Sequence, residues 1–366
     1  MEITPALVLD LNGTHTEQSA DGIIKEAEAD VSPVPTLLPP LGYAILSFWM
    51  FLITVFSVFN NSLVIVVMVQ NHQIFFPMNI LILSLAISDL LMTICGSAIA
   101  SVTNYYGQFF MGRELCVFQG FAVNYFGLVS LCTLTLLAYE RYNVVCKPMG
   151  TFKVTIRRSS KGLLFVWLHC LFWAAAPLLG WSSYGPEGVQ TSCSLAWEER
   201  TTASYSYLIP YWFFCFLLPT GIIIYCYYHI LISIRKLNLS VENQGGRSRQ
   251  HEDRRAACMV AAMIGSFFFC WLPYAIVSVL VILLPDLHIS PLLASMPAYL
   301  AKTSPVYNPI IFFLANKQFR YSAMQIVLCG CYTPKSIMRD SNTDVSAVED
   351  GTKRLPPNSI QPEAAS

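Results

Sequence analysis

Long apolar runs separated by short polar stretches recur along this chain at lengths suited to crossing a bilayer. The hydrocarbon core is about 30 Å thick and a helix rises about 1.5 Å per residue, so about 20 apolar residues span it. Runs of this kind lie near Tyr43 to Val69, Met78 to Thr103, Glu114 to Val145, Gly162 to Trp181, Tyr205 to Ile234, Ala256 to Leu284 and Ile289 to Leu314. The pattern predicts an all-α membrane protein, a seven-transmembrane helix bundle over residues 41–315. Residues 1–40 read as an extracellular tail, closed by Pro33, Pro35, Pro39 and Pro40, without the basic, apolar and small-residue sequence of a cleaved signal peptide. After the last run, NKQFRYSAMQIVLCGC alternates basic and apolar residues at helical spacing, which predicts a short amphipathic helix on the cytoplasmic membrane surface over 316–331. Cys329 and Cys331 within it are candidate palmitoylation sites. Residues 332–366, polar and rich in Ser and Thr, read as a disordered cytoplasmic tail open to phosphorylation.

Basic residues near the run ends set the orientation. Arg141, Lys147, Lys153, Arg157, Arg158 and Lys161 follow the third run, and Arg235, Lys236, Arg247, Arg249, Arg254 and Arg255 follow the fifth, whereas the alternate loops carry little beyond Arg113 and Arg200. The bias predicts a multi-pass plasma-membrane protein with its amino terminus outside and its carboxyl terminus in the cytoplasm. Asn12, in Asn-Gly-Thr, is then an accessible glycosylation acceptor. Cys116 and Cys193 fall on the oxidising side, and a disulfide between them follows from that compartment. Most other cysteines lie inside apolar runs, where they behave as small hydrophobes.

Composition agrees, with 55% hydrophobic and only 12% charged residues in a chain of 366. Soluble domains average about 25% charged. A formal charge of zero gives no reason to expect a nucleic acid partner, and neither a metal-spaced His and Cys cluster nor a phosphate-cradling glycine loop is visible.

The polar residues inside the runs carry the chemistry. Lys302 lies near the bilayer midplane in AYLAKTSPVYNPIIFF, where insertion costs about 2.5 to 3.5 kcal/mol and neither interface is within reach. Such a lysine either faces a paired carboxylate or wet cavity in the bundle, or acts as a nucleophile that condenses with an aldehyde or ketone. Asn61, Asp89 and Asn308 could form one hydrated polar network in the core, functional or purely structural. Glu140-Arg141-Tyr142 closes the third run, where Arg141 can pair with Glu140 and with Glu252 or Asp253 before the sixth. Pro219, Pro273 and Pro309 should each kink a helix and free a carbonyl, with Trp271 and Tyr274 at the bend of the sixth.

These residues together resemble a family. Asn61, LAISD, the Cys116 and Cys193 pair, ERY, CWLP ending at Pro273 and Asn308-Pro309 are similar to a rhodopsin-like G-protein-coupled receptor. AKTS around Lys302, GWSSYGPEGVQTSC and NKQFR resemble an animal opsin, most similar to the encephalopsin and multiple-tissue opsin group. The resemblance covers about Leu41 to Cys331. It implies retinal held by Lys302 as a Schiff base, 11-cis in the dark and all-trans after light, in a pocket including Gln119, Val123, Trp271 and Tyr274. It further implies a heterotrimeric G protein, of the inhibitory class, reached through Glu140, Arg141, Tyr142, Tyr227, Asp253, Asn308 and Pro309. Arrestin and a receptor kinase would act on the tail, and the chain would not be an enzyme.

Two residues depart from the family pattern. Gln119 stands where vertebrate visual pigments carry a counterion glutamate, and a neutral amide cannot balance an iminium. Glu187, six residues before Cys193, matches the counterion position of many bistable opsins and takes that role by resemblance. Phe312 stands where the family has a tyrosine after NPxx, removing a hydroxyl from the activation network. Competing readings are a retinal photoisomerase with weak signalling and a receptor for a diffusible amine. The stretch Gln119 to Phe126, where amine receptors carry an acid, has none, and Lys302 would repel an amine. A transporter would show duplicated halves or paired broken helices, which are not visible.

Overall fold

The computed structural model describes residues 37–71, 76–147, 155–239, 247–284, 286 and 289–328. Asn12, Cys329, Cys331 and the tail 332–366 lie outside the described residues. Among the described residues six helices are long and apolar enough to cross a membrane singly: α1 (Pro40–Gln70), α2 (Pro77–Tyr105), α3 (Gly112–Cys146), α4 (Ile156–Leu179), α5 (Thr202–Lys236) and α6, whose apolar part is His251–Leu283. The seventh crossing is built in pieces: α7 (Pro291–Ala301), a 3-10 turn at Ser304–Val306 and α8 (Tyr307–Ala315). A surface helix α9 (Lys317–Val327) follows, its first turn capped by the Asn316 side chain, which accepts from the Phe319 backbone N–H.

The seventh run continues helically through Pro297 and breaks ahead of Pro305 and Pro309. Pro309 has no N–H for the carbonyl of Pro305, and the Asn61 amide of α1 donates to that carbonyl instead at 2.9 Å. The carbonyl of Trp173, freed by Pro177 near the end of α4, is likewise taken by the Tyr207 hydroxyl at 2.7 Å. Ahead of Pro219, α5 widens into a π-helical turn at Phe213–Leu217. The structure starts α4 earlier than the apolar run, because Thr155 caps it and Arg157, Arg158 and Lys161 occupy its first turns. These basic side chains lengthen the helix without lengthening its apolar stretch.

Central in the bundle is α3, two-thirds buried (67%) along its most apolar stretch against 33% for α1, α4 and α5. It packs on α2, α4, α5 and α6 and on the only strands among the described residues. Those strands, β1 (Tyr184–Glu187) and β2 (Ser192–Leu195), add an antiparallel hairpin to an otherwise helical chain, with Glu187 paired to Ser192. A disulfide joins Cys193 of β2 to Cys116 at the start of α3. Gly188 opens the hairpin turn with a positive φ of 54°, and a Cβ there would lie 1.9 Å from the Ser295 hydroxyl. Only glycine lets the hairpin sit this close to α7.

Candidate functional site

Beneath the hairpin lies a cavity walled by α3, α5, α6 and α7 and roofed by β1 and β2. Val123, Gly127, Trp212, Phe216, Phe267, Trp271 and Tyr274 line it, with Lys302 and Glu187 among the same walls. The sequence-predicted Val123, Trp271 and Tyr274 therefore come together. Gln119 does not join them and is corrected here from a wall residue to a tie. Its carbonyl accepts from the Cys193 backbone N–H at 2.9 Å and its amide donates to the Gly96 carbonyl at 3.3 Å. With both ends of the amide engaged, Gln119 anchors the hairpin to α3 and α2.

Lys302 ends α7 and is 2% exposed, its ammonium 5.7 Å from the centre of the Tyr299 ring. Its placement in the bundle follows from the chain just beyond it, where Pro305 and Pro309 turn the helix and Ser97 of α2 donates to the Lys302 carbonyl at 3.1 Å. Glu187 is held at the end of β1 by the hairpin register. Burial comes first among the influences on its carboxyl and pushes its pKa up; Lys302 and then the side chains of Ser194 and Tyr274 pull it down, and Glu198 pushes up slightly. One oxygen, Oε2, is buried without a hydrogen-bond partner. A buried acceptor left open in the cavity that Lys302 also lines fits a counter-charge to a cationic N–H at the Lys302 nitrogen, and the apolar aromatic walls fit a long unsaturated chain.

Aromatic residues set the shape of the cavity. Trp271 donates from Nε1 to the Ser304 hydroxyl at 2.9 Å and stacks on Phe267 at 5.6 Å, tying α6 to the break in the seventh crossing. Trp197, four positions past Cys193, donates to the Tyr274 hydroxyl at 2.8 Å and closes the wall between the hairpin and α6. Trp197, Ser194, Tyr211 and Tyr299 were missed from the sequence. Proximity to the pinned Cys193 is a signal that could have found the first two; the others depend on which helix faces meet.

Below the cavity, Asn308 donates to Asp89 Oδ2 at 2.8 Å, and Ser130 of α3 donates to Asp89 Oδ1 at 2.9 Å. Asn61 reaches the same region by donating to the Pro305 carbonyl, and with Asn308 it lines one small void there. At the cytoplasmic end, Arg141 Nη2 lies 3.4 Å from Glu140 Oε1, and the Tyr227 hydroxyl donates to the Ala257 carbonyl at 3.0 Å, joining α5 to α6. Tyr142 is buried beside Tyr225 and His229 of α5, and Asp253 lies in the amino-terminal part of α6.

Comparison with known proteins places this geometry. The family model described as 7 transmembrane receptor (rhodopsin family) matches residues 60–312. The chain is 37% identical over 306 residues to Opsin-VA of Rutilus rutilus, covering 84% of this chain and 80% of that one. It is 39% identical over 295 residues to parapinopsin of Ictalurus punctatus, covering 80% and 85%, and 38% identical over 293 residues to pinopsin of Columba livia, covering 80% and 83%. In fold it is similar to squid rhodopsin, with a TM-score of 0.75 at 24% identity over 87% of this chain and 93% of that one.

Proposed function

Because the chain belongs to the rhodopsin family of seven-transmembrane receptors, and within it to the animal opsins, a light-sensing receptor that is not an enzyme, we propose that Lys302 is the residue that holds retinal as a Schiff base. When bound, retinal supplies a polyene whose shape changes on absorbing a photon. One observation carries the reading: the buried Lys302 and the half-buried Glu187, whose Oε2 is buried and without a hydrogen-bond partner, line the same aromatic cavity. Glu187 balances the positive charge at the Lys302 nitrogen, in place of the neutral Gln119. The disulfide-pinned hairpin excludes water from that nitrogen and so strengthens the attraction between the two charges.

The chain's own contacts then relay the change. Trp271 and Tyr274 flank Pro273, so a force on the cavity wall acts at the weakest point of α6. The Trp271 to Ser304 bond, the Tyr227 to Ala257 bond and the Glu140 to Arg141 pair hold α6 and the cytoplasmic ends in the resting arrangement. Their rearrangement exposes the surface that a heterotrimeric G protein recognises. By resemblance to the encephalopsin group we infer a bistable non-visual pigment that binds 11-cis-retinal in the dark and couples to an inhibitory-class G protein. The basic loops after α3 and α5 support a cytoplasmic carboxyl terminus.

The test is to express the protein, add 11-cis-retinal in darkness, and record difference spectra before and after illumination beside a Lys302→Ala control. A band that forms only with Lys302, followed by light-dependent nucleotide exchange on an inhibitory-class G protein, is expected. A band that survives loss of Lys302 removes the assignment.

A further inference from the structure

Tyr299 lies one helical turn before Lys302, with its ring face 5.7 Å from the ammonium. The ring is 3% exposed, and its hydroxyl is fixed from two other elements. Asn104 at the end of α2 donates to it at 2.9 Å, and Thr191 in the hairpin turn shares a hydrogen bond with it at 2.7 Å. Thr191 also donates to Asn104 Oδ1 at 2.9 Å, so the three side chains close a ring in which Asn104 and Thr191 are 0% exposed. This triad joins α2, α7 and the hairpin that carries Glu187. Its cost in ordered polar groups exceeds what packing alone requires, since an apolar trio would fill the same space with nothing to satisfy.

We propose that Tyr299 is a positioning residue for the positive charge at Lys302: the negative face of its ring holds the cation, and its triad with Asn104 and Thr191 keeps that face and the hairpin in register. A cation within about 6 Å of an aromatic centroid is attracted by the ring quadrupole, most strongly where water is excluded. Among the described residues the groups acting on the Lys302 charge are few. Glu187 on β1 is the carboxylate that acts on it, itself influenced by Ser194, Tyr274 and Glu198. From α2 Ser97 meets only the Lys302 carbonyl, and on α6 Cys270 faces Thr303 rather than the amine. Tyr299 thus supplies a second, neutral source of attraction on the side away from the cavity lining, which Tyr299 does not join.

The inference rests on the retinal reading only for its second measurement. In the retinal-free protein, reductive methylation of Lys302 by formaldehyde and cyanoborohydride is followed against pH by peptide mass spectrometry in wild type, Tyr299→Phe and Tyr299→Leu. In the pigment, the alkaline midpoint of the visible-to-ultraviolet transition is recorded for the same three. Tyr299→Leu is expected to lower both midpoints by roughly 0.5 to 1 pH unit, whereas Tyr299→Phe, which keeps the ring but gives up the hydroxyl's bonds to Asn104 and Thr191, is expected to fall between leucine and wild type. Should Tyr299→Leu fail to fold, fluorinated phenylalanines at position 299, which weaken the ring face at nearly constant size, are expected to lower the midpoint stepwise with fluorine number. Equal midpoints for leucine and wild type, or a phenylalanine variant as shifted as leucine, overturn the proposal. Failure of wild type to form a pigment removes the retinal reading while the first measurement still decides this one.

Discussion

The ring of Phe312 lies 4.5 Å from that of Phe319, so the last turns of the membrane bundle and the surface helix α9 share one buried aromatic pair. Both rings are nearly sealed from solvent, at 0% and 1% exposure. Phe312→Tyr, the tyrosine of the family pattern, would bring a hydroxyl into this sealed aromatic pair, and left unpaired there it costs about 1 to 3 kcal/mol. The dark-state melting temperature in detergent is expected to fall; an unchanged value would mean that α9 gives way to let the hydroxyl reach a partner.

Gly127 of α3 faces the indole of Trp271, where an added Cβ would lie 2.7 Å from the ring. The indole cannot swing aside cheaply, because Ser304 and Phe267 hold it. Gly127→Ala is therefore expected to push Trp271 and α6 toward the active arrangement, raising nucleotide exchange in darkness several-fold. Dark exchange at the wild-type rate, with a normal pigment spectrum, would show that the indole yields without moving the helix.

Replacing Glu187 by glutamine removes the carboxylate but keeps the shape. The expected outcome is a pigment whose Schiff base gives up its proton more readily, so that absorption at neutral pH moves from the visible toward the ultraviolet. A spectrum identical to wild type would assign the counterion elsewhere.

The same carboxylate predicts a pH dependence without retinal. Burial holds the folded pKa of Glu187 above the ordinary value of 4.5. A raised carboxyl stabilises the fold most when protonated, below the unfolded value, and that stability is lost as pH rises through the folded value. The retinal-free protein should lose stability as pH climbs out of the ordinary carboxylate range, and Glu187→Gln should flatten that part of the curve in thermal melts.

Asp89 accepts from Asn308 and Ser130, which are far apart in the chain. Asp89→Ala would leave two buried donors open, each at about 1 to 3 kcal/mol. A double-mutant cycle with Asn308→Ala should return a coupling of roughly 0.5 to 3 kcal/mol. Additive losses would mean that the two act separately.

Much of this arrangement is legible along the chain because the bilayer is a harsh solvent. An apolar run of the right length has few alternatives to a spanning helix, since every backbone N–H and C=O must be satisfied within it. The same harshness made Lys302, Asp89 and Asn308 conspicuous, for a polar group that costs several kcal/mol in lipid implies a reason for being there. The cysteine pair followed from compartment and a kink in the seventh run from Pro309, whereas the full break at Ser304–Val306 emerged only in the structure.

What the linear chain could not decide is which faces meet. Gln119 has the sequence position of a cavity residue, yet the approach of β2 turns its amide toward Cys193 and Gly96. Tyr299 carries no signal of its own along the chain; α2 and the hairpin turn bring Asn104 and Thr191 to its hydroxyl. Helix number and depth are local properties, set by each segment's own contest between lipid and water. Rotation of each helix, and therefore the partner of each polar side chain, is set by packing against neighbours distant in sequence, and only the assembled bundle fixes it.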